Sequence, residues 1–417
     1  MSMLTQRLTW PIAIASDKAL RGYHHGVRLV RGLVTRELCP NCFDTFSLGQ
    51  AQFRCESDTA SCPPEKDDVW EKRWKERVIK SKVIVPTQNS WLYSVSATCG
   101  HCKRPSRRRI CPNCHADLPP GFGSTPNITI AVIGAPDAGK THYIAVLVDR
   151  LSKQVAPALG MSFYSADEAT TTRYRHEIYE TLFEKHQRLD KTATGETNIK
   201  VRKPLVYVLR KSGGGLFGDW LAKSVTLSFF DSAGEDFGAE DKTSAFAKHV
   251  IHCDGLILLI DPTQMEKVRR RMSNPPPMRS APIPPVDILQ RIARLMERRG
   301  GVGDNATIRV PLAIAATKFD AVKDQFPKDH RVRIAPEATS SFRADDAQTV
   351  STEVETQLRD WDQGELVSFV KDRFADRHYF ALSALGAAPD ERNAVAEVKP
   401  HRVEDALIWL LARKGVL

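Results

Sequence analysis

Residues Gly134 to Thr141 read Gly-Ala-Pro-Asp-Ala-Gly-Lys-Thr and fit the pattern G-x-x-x-x-G-K-[ST] at every fixed position. Their flanks narrow the fold further. Before them, Ile128-Thr129-Ile130-Ala131-Val132-Ile133 is a β-branched apolar run that reads as a buried strand. After them, Tyr143 to Leu151 runs without Gly or Pro, as a helix does. A strand feeding a Gly-rich turn that opens a helix is the geometry that cradles a nucleotide's phosphates. The loop's N–H groups converge on the anion, and the helix N-terminus adds partial positive charge. In such a loop Lys140 reaches the β- and γ-phosphates and Thr141 offers its hydroxyl to Mg²⁺, while Gly134, Asp137, Ala138, Gly139 and His142 complete the lining. A chance Gly-rich turn could carry the same letters, but the two correct flanks favour a nucleoside triphosphate site.

Four further strand-like runs follow. Val225 to Phe230 leads into Asp231-Ser232-Ala233-Gly234-Glu235-Asp236. An Asp at a strand end can hold Mg²⁺ through water, and a Gly three residues on can present its N–H to the γ-phosphate. Gly255 to Ile260 ends at Asp261-Pro262, Pro311 to Ala316 ends in Thr317-Lys318-Phe319-Asp320, and Tyr379 to Leu382 leads to Ser383-Ala384-Leu385-Gly386. In this order the series resembles the signatures of translation-factor-class and Ras-like GTPases: P-loop, D-x-x-G, [NT]-K-x-D and a Ser-Ala loop. The resemblance covers roughly Asn127 to the C-terminus. It implies an α/β fold of the P-loop NTPase type, a Ras-like, mostly parallel sheet with helices on both faces.

The resemblance also implies roles. Asp320 matches the carboxylate that accepts two hydrogen bonds, from guanine N1–H and from the exocyclic amine. Adenine lacks that donor pair and would leave a buried carboxylate unpaired, which costs on the order of a few kcal/mol. GTP is therefore expected ahead of ATP. Lys318 would pack its stem over the base, and Ser383 and Ala384 match the loop that braces Asp320 and offers an N–H to guanine O6. Thr317 departs from the commoner Asn, which bears on affinity for the base rather than on its identity. Glu235 stands where many small GTPases carry a water-positioning Gln, so hydrolysis is expected to be slow or partner-assisted. The Asp-x-Ala-Gly-Glu form is similar to that of bacterial GTPase-like domains of the double-GTPase group. The switch-I Thr that joins Mg²⁺ in the triphosphate state falls among Thr192, Thr194 and Thr197, and the likeness of Leu189-Asp190-Lys191-Thr192 to a Leu-Pro-x-Thr segment favours Thr192. Lys140, Glu235 and Thr192 are thus the candidate catalytic residues. Arg173 or Arg175 could supply a cis arginine from the helical-looking stretch Ala166 to Arg188, although surface solvation is the plainer reading.

A second chemistry lies upstream. Eight of the nine cysteines fall between Cys39 and Cys114: Cys39 and Cys42, Cys55, Cys62, Cys99 and Cys102, then Cys111 and Cys114. C-x-x-C pairs set two thiolates on one side of a tight knuckle, and two pairs make an S₄ site that suits Zn²⁺. The spacing favours Cys99, Cys102, Cys111 and Cys114 as one zinc ribbon and Cys39, Cys42, Cys55 and Cys62 as the other, about two Zn²⁺ in all. The sites can also interleave, with the first pair joining the third, and spacing alone does not decide. His101 and His115 could substitute as ligands but read more simply as surface residues. Disulfides are disfavoured by the absence of a convincing signal peptide and the cytosolic look of the rest. Cys253, the ninth, reads as a small buried hydrophobe.

These signals divide the chain into an N-terminal segment 1–36, a cysteine-rich zinc-binding region 37–120, and a GTPase domain 126–417 with helical, Pro-rich and polar insertions. Residues 1–125 hold 19 Lys and Arg against 11 Asp and Glu, so eight of the ten net positive charges sit there. Arg107-Arg108-Arg109 and Lys72-Arg73-Trp74-Lys75 could meet nucleic acid or an acidic partner, yet aromatic residues are not systematically interleaved, and a solvated basic surface is favoured. No run reaches the length of a membrane span. The Pro-rich stretch 274–285 reads as a spacer loop, and the polar stretch Val322 to Val350 as a partly disordered insertion. The zinc region is expected to unfold without metal while the α/β core survives. The sequence therefore reads as a cytoplasmic GTP-binding and GTP-hydrolysing switch that meets a protein partner through zinc ribbons. A GTP-binding scaffold without useful turnover and a nucleic-acid-associated ATPase are the alternatives.

Overall fold

The computed structural model describes residues 36–86, 95–123, 127–189, 203–211, 223–231, 245–278, 281–300, 307–336 and 342–417. Among the described residues seven strands form the central sheet. They are β1 (Asn127–Gly134), β2 (Met161–Ser165), β3 (Leu205–Lys211), β4 (Lys223–Asp231), β5 (Gly255–Ile260), β6 (Leu312–Ala316) and β7 (Arg377–Ala381). Their order is β2-β3-β4-β1-β5-β6-β7. From β4 to β7 every pairing is parallel, and β2 and β3 close one edge antiparallel. The central strands read as unbroken apolar runs because helices cover both faces. Successive residues still part company: Ala131 and Ile133 enter one apolar cluster, Ile128, Ile130 and Val132 the other.

Six helices carry the covering faces: α1 (Lys140–Arg150), α2 (Ala245–Ile251), α3 (Pro285–Gly300), α4 (Ala344–Asp360), α5 (Gly364–Arg373) and α6 (Asp405–Arg413). Leu289, Ile292, Ala293 and Met296 of α3 pack with α2, α4 and α5 on one side, and Ala406, Leu407, Leu410 and Leu411 of α6 pack with α1 on the other. Among the described residues no helix is long and apolar enough to cross a membrane.

One expectation changes and two regions gain detail. The stretch Ala166 to Arg188 is helical, α over Glu168–Thr172 and π over Arg173–Glu184, and it lies on α1 through Ile178 and Leu182. The polar insertion is not disordered over its described part: Val322, Phe326 and Val332 are buried, Phe326 meets Trp361 edge-on at 5.4 Å, and Val350 belongs to the buried stripe of α4 that Ala347 opens. Its apolar anchors are few and widely spaced, so composition alone hides them. The cysteine region also packs on the α/β domain, with Phe43 1% exposed inside the same apolar cluster as α2 and α3.

Candidate functional site

The site forms where β1, β5, β6 and β7 end. Gly134 closes β1, and a Cβ there would stand 2.6 Å from the Leu259 carbonyl, so only glycine lets the loop leave the sheet. Gly139, with φ of 86°, occupies the left-handed region just before α1, a conformation that glycine adopts without a Cβ penalty. Lys140 is buried, its Nζ donating to the carbonyls of Gly134 and Ala135 at 3.0 Å each. The ammonium therefore lies along the inside of the loop.

A cavity of about 340 Å³ is lined by Asp137 to Tyr143 on one side and by Thr317, Lys318, Asp320 and Ser383 to Leu385 on another. The structure thus brings Asp137, Ala138, Gly139, Lys140, Thr141, His142, Thr317, Lys318, Asp320, Ser383 and Ala384 together. Asp231 pairs with Val132 in the sheet, which puts its backbone beside the start of the P-loop. Thr192, Thr194, Thr197, Gly234 and Glu235 lie outside the described residues.

On the base side, Ser383 Oγ donates to Asp320 Oδ1, and the Gly386 N–H donates to Ser383 Oγ at 2.9 Å. The serine thereby fixes one carboxylate oxygen. Thr317 lines the cavity but commits its polar groups to the sheet: its hydroxyl and its N–H both donate to the Ile260 carbonyl, at 3.0 and 2.7 Å. It ties β6 to β5, a structural reason for Thr at this position. The loss of two charge-assisted hydrogen bonds, each worth about 1.5–3 kcal/mol, sets the expected effect at Asp320. In a competition binding assay Asp320→Asn should weaken GTP on the order of 100-fold and improve xanthosine triphosphate. An unchanged preference for GTP would remove Asp320 from base reading.

Sequence reasoning gave no role to the residue that joins the two halves. Asp261, almost wholly buried at the end of β5, pairs with Lys318 Nζ at 2.5 Å and accepts from the N–H and hydroxyl of Thr263 at 2.9 and 2.7 Å. Gln264 Nε2 donates to Asp261 at 3.1 Å and to the Pro136 carbonyl of the P-loop at 3.2 Å. One carboxylate so holds the base-side lysine and, through Gln264, the phosphate loop. A strand ending in Asp-Pro was the available signal.

Arg173 donates to the Lys203 carbonyl and Arg175 pairs with Glu184 at 2.8 Å, and neither lines the cavity. Arg188 and Arg269 do, and Arg188 Nη2 lies 3.9 Å from Asp137. The Pro-rich stretch is more than a spacer: Pro276, Pro277 and Met278 reach the cavity, and Arg269 donates to the Pro276 carbonyl at 2.7 Å. His142 accepts the Leu189 N–H at 3.2 Å, and burial, helped by Lys318, lowers its pKa to about 4. The imidazole is therefore neutral at pH 7, as that acceptor role requires.

The cysteines form two tetrads with the interleaved pairing. Cys39 and Cys42 join Cys111 and Cys114, while Cys55 and Cys62 join Cys99 and Cys102. The pairing favoured by spacing is corrected: the strand Gln52–Arg54 pairs with both Val83–Ile84 and Arg109–Ile110, which carries the last C-x-x-C back to the first. Sγ–Sγ separations of 3.8 and 3.9 Å in one tetrad and 3.6 and 3.9 Å in the other match the edge of about 3.8 Å of a tetrahedron with Zn–S of about 2.3 Å. The donor set therefore fits Zn²⁺. His115 is not a ligand: its Nδ1 bonds Asp67 at 2.7 Å, and Asp67 also pairs with Arg54 at 2.6 Å. Arg108 of the basic run pairs with Asp117 at 2.8 Å, and Cys253 is buried as a small hydrophobe.

Strand order, P-loop and cavity together define a P-loop NTPase of Ras-like topology. The chain belongs to the Double-GTPase 2 family, whose model matches residues 128–370. That places it among GTP-binding proteins. It is 23% identical over 411 residues to "Putative ESX-1 scaffolding and assembly protein SaeC" of Mycolicibacterium smegmatis (strain ATCC 700084 / mc(2)155), covering 91% of this chain and 99% of that protein. Among solved structures it matches the Arl6 BBS3 small GTPase from Trypanosoma brucei with bound nucleotide analogue GppNp, at 12% identity and a TM-score of 0.28, over 69% of this chain and 98% of that one.

Proposed function

We propose that the chain is a cytoplasmic GTP-binding and GTP-hydrolysing switch whose cysteine module, holding two Zn²⁺, presents the switch to a protein partner. The observation that carries the reading is the Asp320 carboxylate, braced by Ser383 in the cavity that also holds Lys140. Thr141 and Asp231 would hold Mg²⁺, which supplies charge neutralisation at the phosphate oxygens. Lys140 would bind the β- and γ-phosphates, Gly234 would donate its N–H to the γ-phosphate, Thr192 would order in the triphosphate state, and Glu235 would stand beside the attacking water. A carboxylate there repels the γ-phosphate, so intrinsic turnover should be near 10⁻⁴ s⁻¹, about the unassisted rate of small GTPases. Single-turnover hydrolysis of GTP by the purified chain checks this, and several turnovers per second would move the chemistry to a cis arginine, with Arg188 now the candidate.

A second reading, a GTP-binding scaffold without useful turnover, draws on the relative described as a scaffolding and assembly protein, which aligns over nearly its whole length. GTP binding with no hydrolysis, alone or with a co-purified partner, would favour it.

A further inference from the structure

Each C-x-x-C pair is followed by a residue in the left-handed region: Phe43, Lys103 and His115, with φ of 56°, 60° and 55°. In each case that residue's N–H donates to the carbonyl of the pair's first cysteine, at 3.0, 3.0 and 2.9 Å. The knuckles are alike, but the side chains at this position are used differently. Lys103 bonds the Gly100 carbonyl at 2.7 Å and His115 bonds Asp67, so both stay inside the cysteine module. Phe43 leaves it. Its ring meets Phe230 edge-on with centroids 6.0 Å apart and lies 4.5 Å from the ring of His249.

Those two neighbours bracket the D-x-x-G segment. Phe230 is the residue before Asp231 at the end of β4, and His249 lies on α2, the next described element. More contacts hold the knuckle there. Ser228 donates to the Pro40 carbonyl at 3.0 Å, Asn127 to the Leu38 carbonyl at 2.7 Å, and Lys248 of α2 pairs with Asp44. A second grip lies at Lys203, the first described residue after the stretch that contains Thr192. Its Nζ stands 4.3 Å over the Trp70 ring and 3.1 Å from Glu76. Among the described residues the second tetrad has no such reach, since its core of Phe53 and Ile84 contains no residue of the α/β domain.

We propose that the first tetrad and Phe43 act as a built-in effector: they pack on the end of β4 and on α2, so the state of the nucleotide cavity and the state of Cys39, Cys42, Cys111 and Cys114 are energetically linked. The inference rests on the nucleotide reading above. Linkage between two sites is reciprocal. Whatever nucleotide does to the first tetrad, loosening that tetrad does to nucleotide affinity. A protein partner then meets the switch through the cysteine module, because the module already occupies the α2–β4 face.

Thiol footprinting of the full chain tests this: iodoacetamide labelling of each cysteine, read by mass spectrometry, with and without Mg²⁺-GDP or Mg²⁺-GTPγS. Bound nucleotide should slow labelling of the first tetrad about fivefold or more and leave Cys55, Cys62, Cys99 and Cys102 unchanged. Phe43→Ala should remove the difference, and Phe43→Leu, which keeps much of the apolar volume, should reduce it. Phe53→Ala, which loosens only the second tetrad's core, should preserve it. Nucleotide binding with equal labelling in both states, or an equal change at both tetrads, overturns the inference alone. A chain that binds no guanine nucleotide in calorimetry overturns the functional reading as well.

Discussion

Lys140→Ala is expected to lose nucleotide binding by at least about 100-fold while the chain stays folded. The ammonium is the central fixed cation of the loop, and its hydrogen bonds to phosphate oxygens are of the charge-assisted kind, each worth about 1.5–3 kcal/mol. In the protein it donates to the Gly134 and Ala135 carbonyls at 3.0 Å each, and α1 is held by the apolar face Tyr143 to Val148. Removing the side chain therefore strips the anion site and spares the packing. Calorimetry with GTP and Mg²⁺, beside a thermal melt of the ligand-free protein, separates the two. Comparable affinity in wild type and variant would contradict a phosphate-binding loop.

The second large effect is an asymmetry between the two cysteine sites. A structural Zn²⁺ contributes folding free energy on the order of 10 kcal/mol to the module it organises. In this chain the first tetrad also seats Phe43 in the α/β core, where loss of a buried Phe costs about 3–5 kcal/mol. Cys111→Ser should therefore lose one of about two zinc ions and lower the melting temperature of the α/β domain by roughly 10 °C. Cys62→Ser should lose one zinc and leave that melting temperature within about 2 °C, because its neighbours Phe53 and Ile84 form a cluster of their own. Elemental analysis with calorimetric melts reads both quantities. Equal shifts from the two variants would mean that Phe43 does not carry the load.

Much of the α/β half was legible in the sequence, and for a physical reason. Parallel strands buried on both faces need unbroken apolar runs, and Ile128–Ile133, Gly255–Ile260 and Pro311–Ala316 show them directly. The loops that end such strands carry their chemistry in consecutive residues, so Gly134–Thr141 and Thr317–Asp320 stand out. What stayed hidden depends on distant partners. C-x-x-C spacing reports a knuckle but not which second knuckle completes the tetrahedron, and here strand pairing around Gln52–Arg54 decides it. Phe43 looks like any residue after a cysteine until the knuckle is laid against β4 and α2. Asp261 gives no periodic signal, and its role comes from Lys318 and Gln264 arriving from elsewhere in the chain. β2 is five residues long, with only Met161 fully buried, too short for its alternation to register.

The central claim is that the cavity selects a guanine nucleotide through Asp320 beside a working phosphate loop. Titration of the full chain with GTP and with ATP, each with Mg²⁺, tests it most directly. The account expects GTP to bind at least about 100-fold more tightly, since adenine leaves the carboxylate without its two donors. Equal affinity for ATP would contradict it.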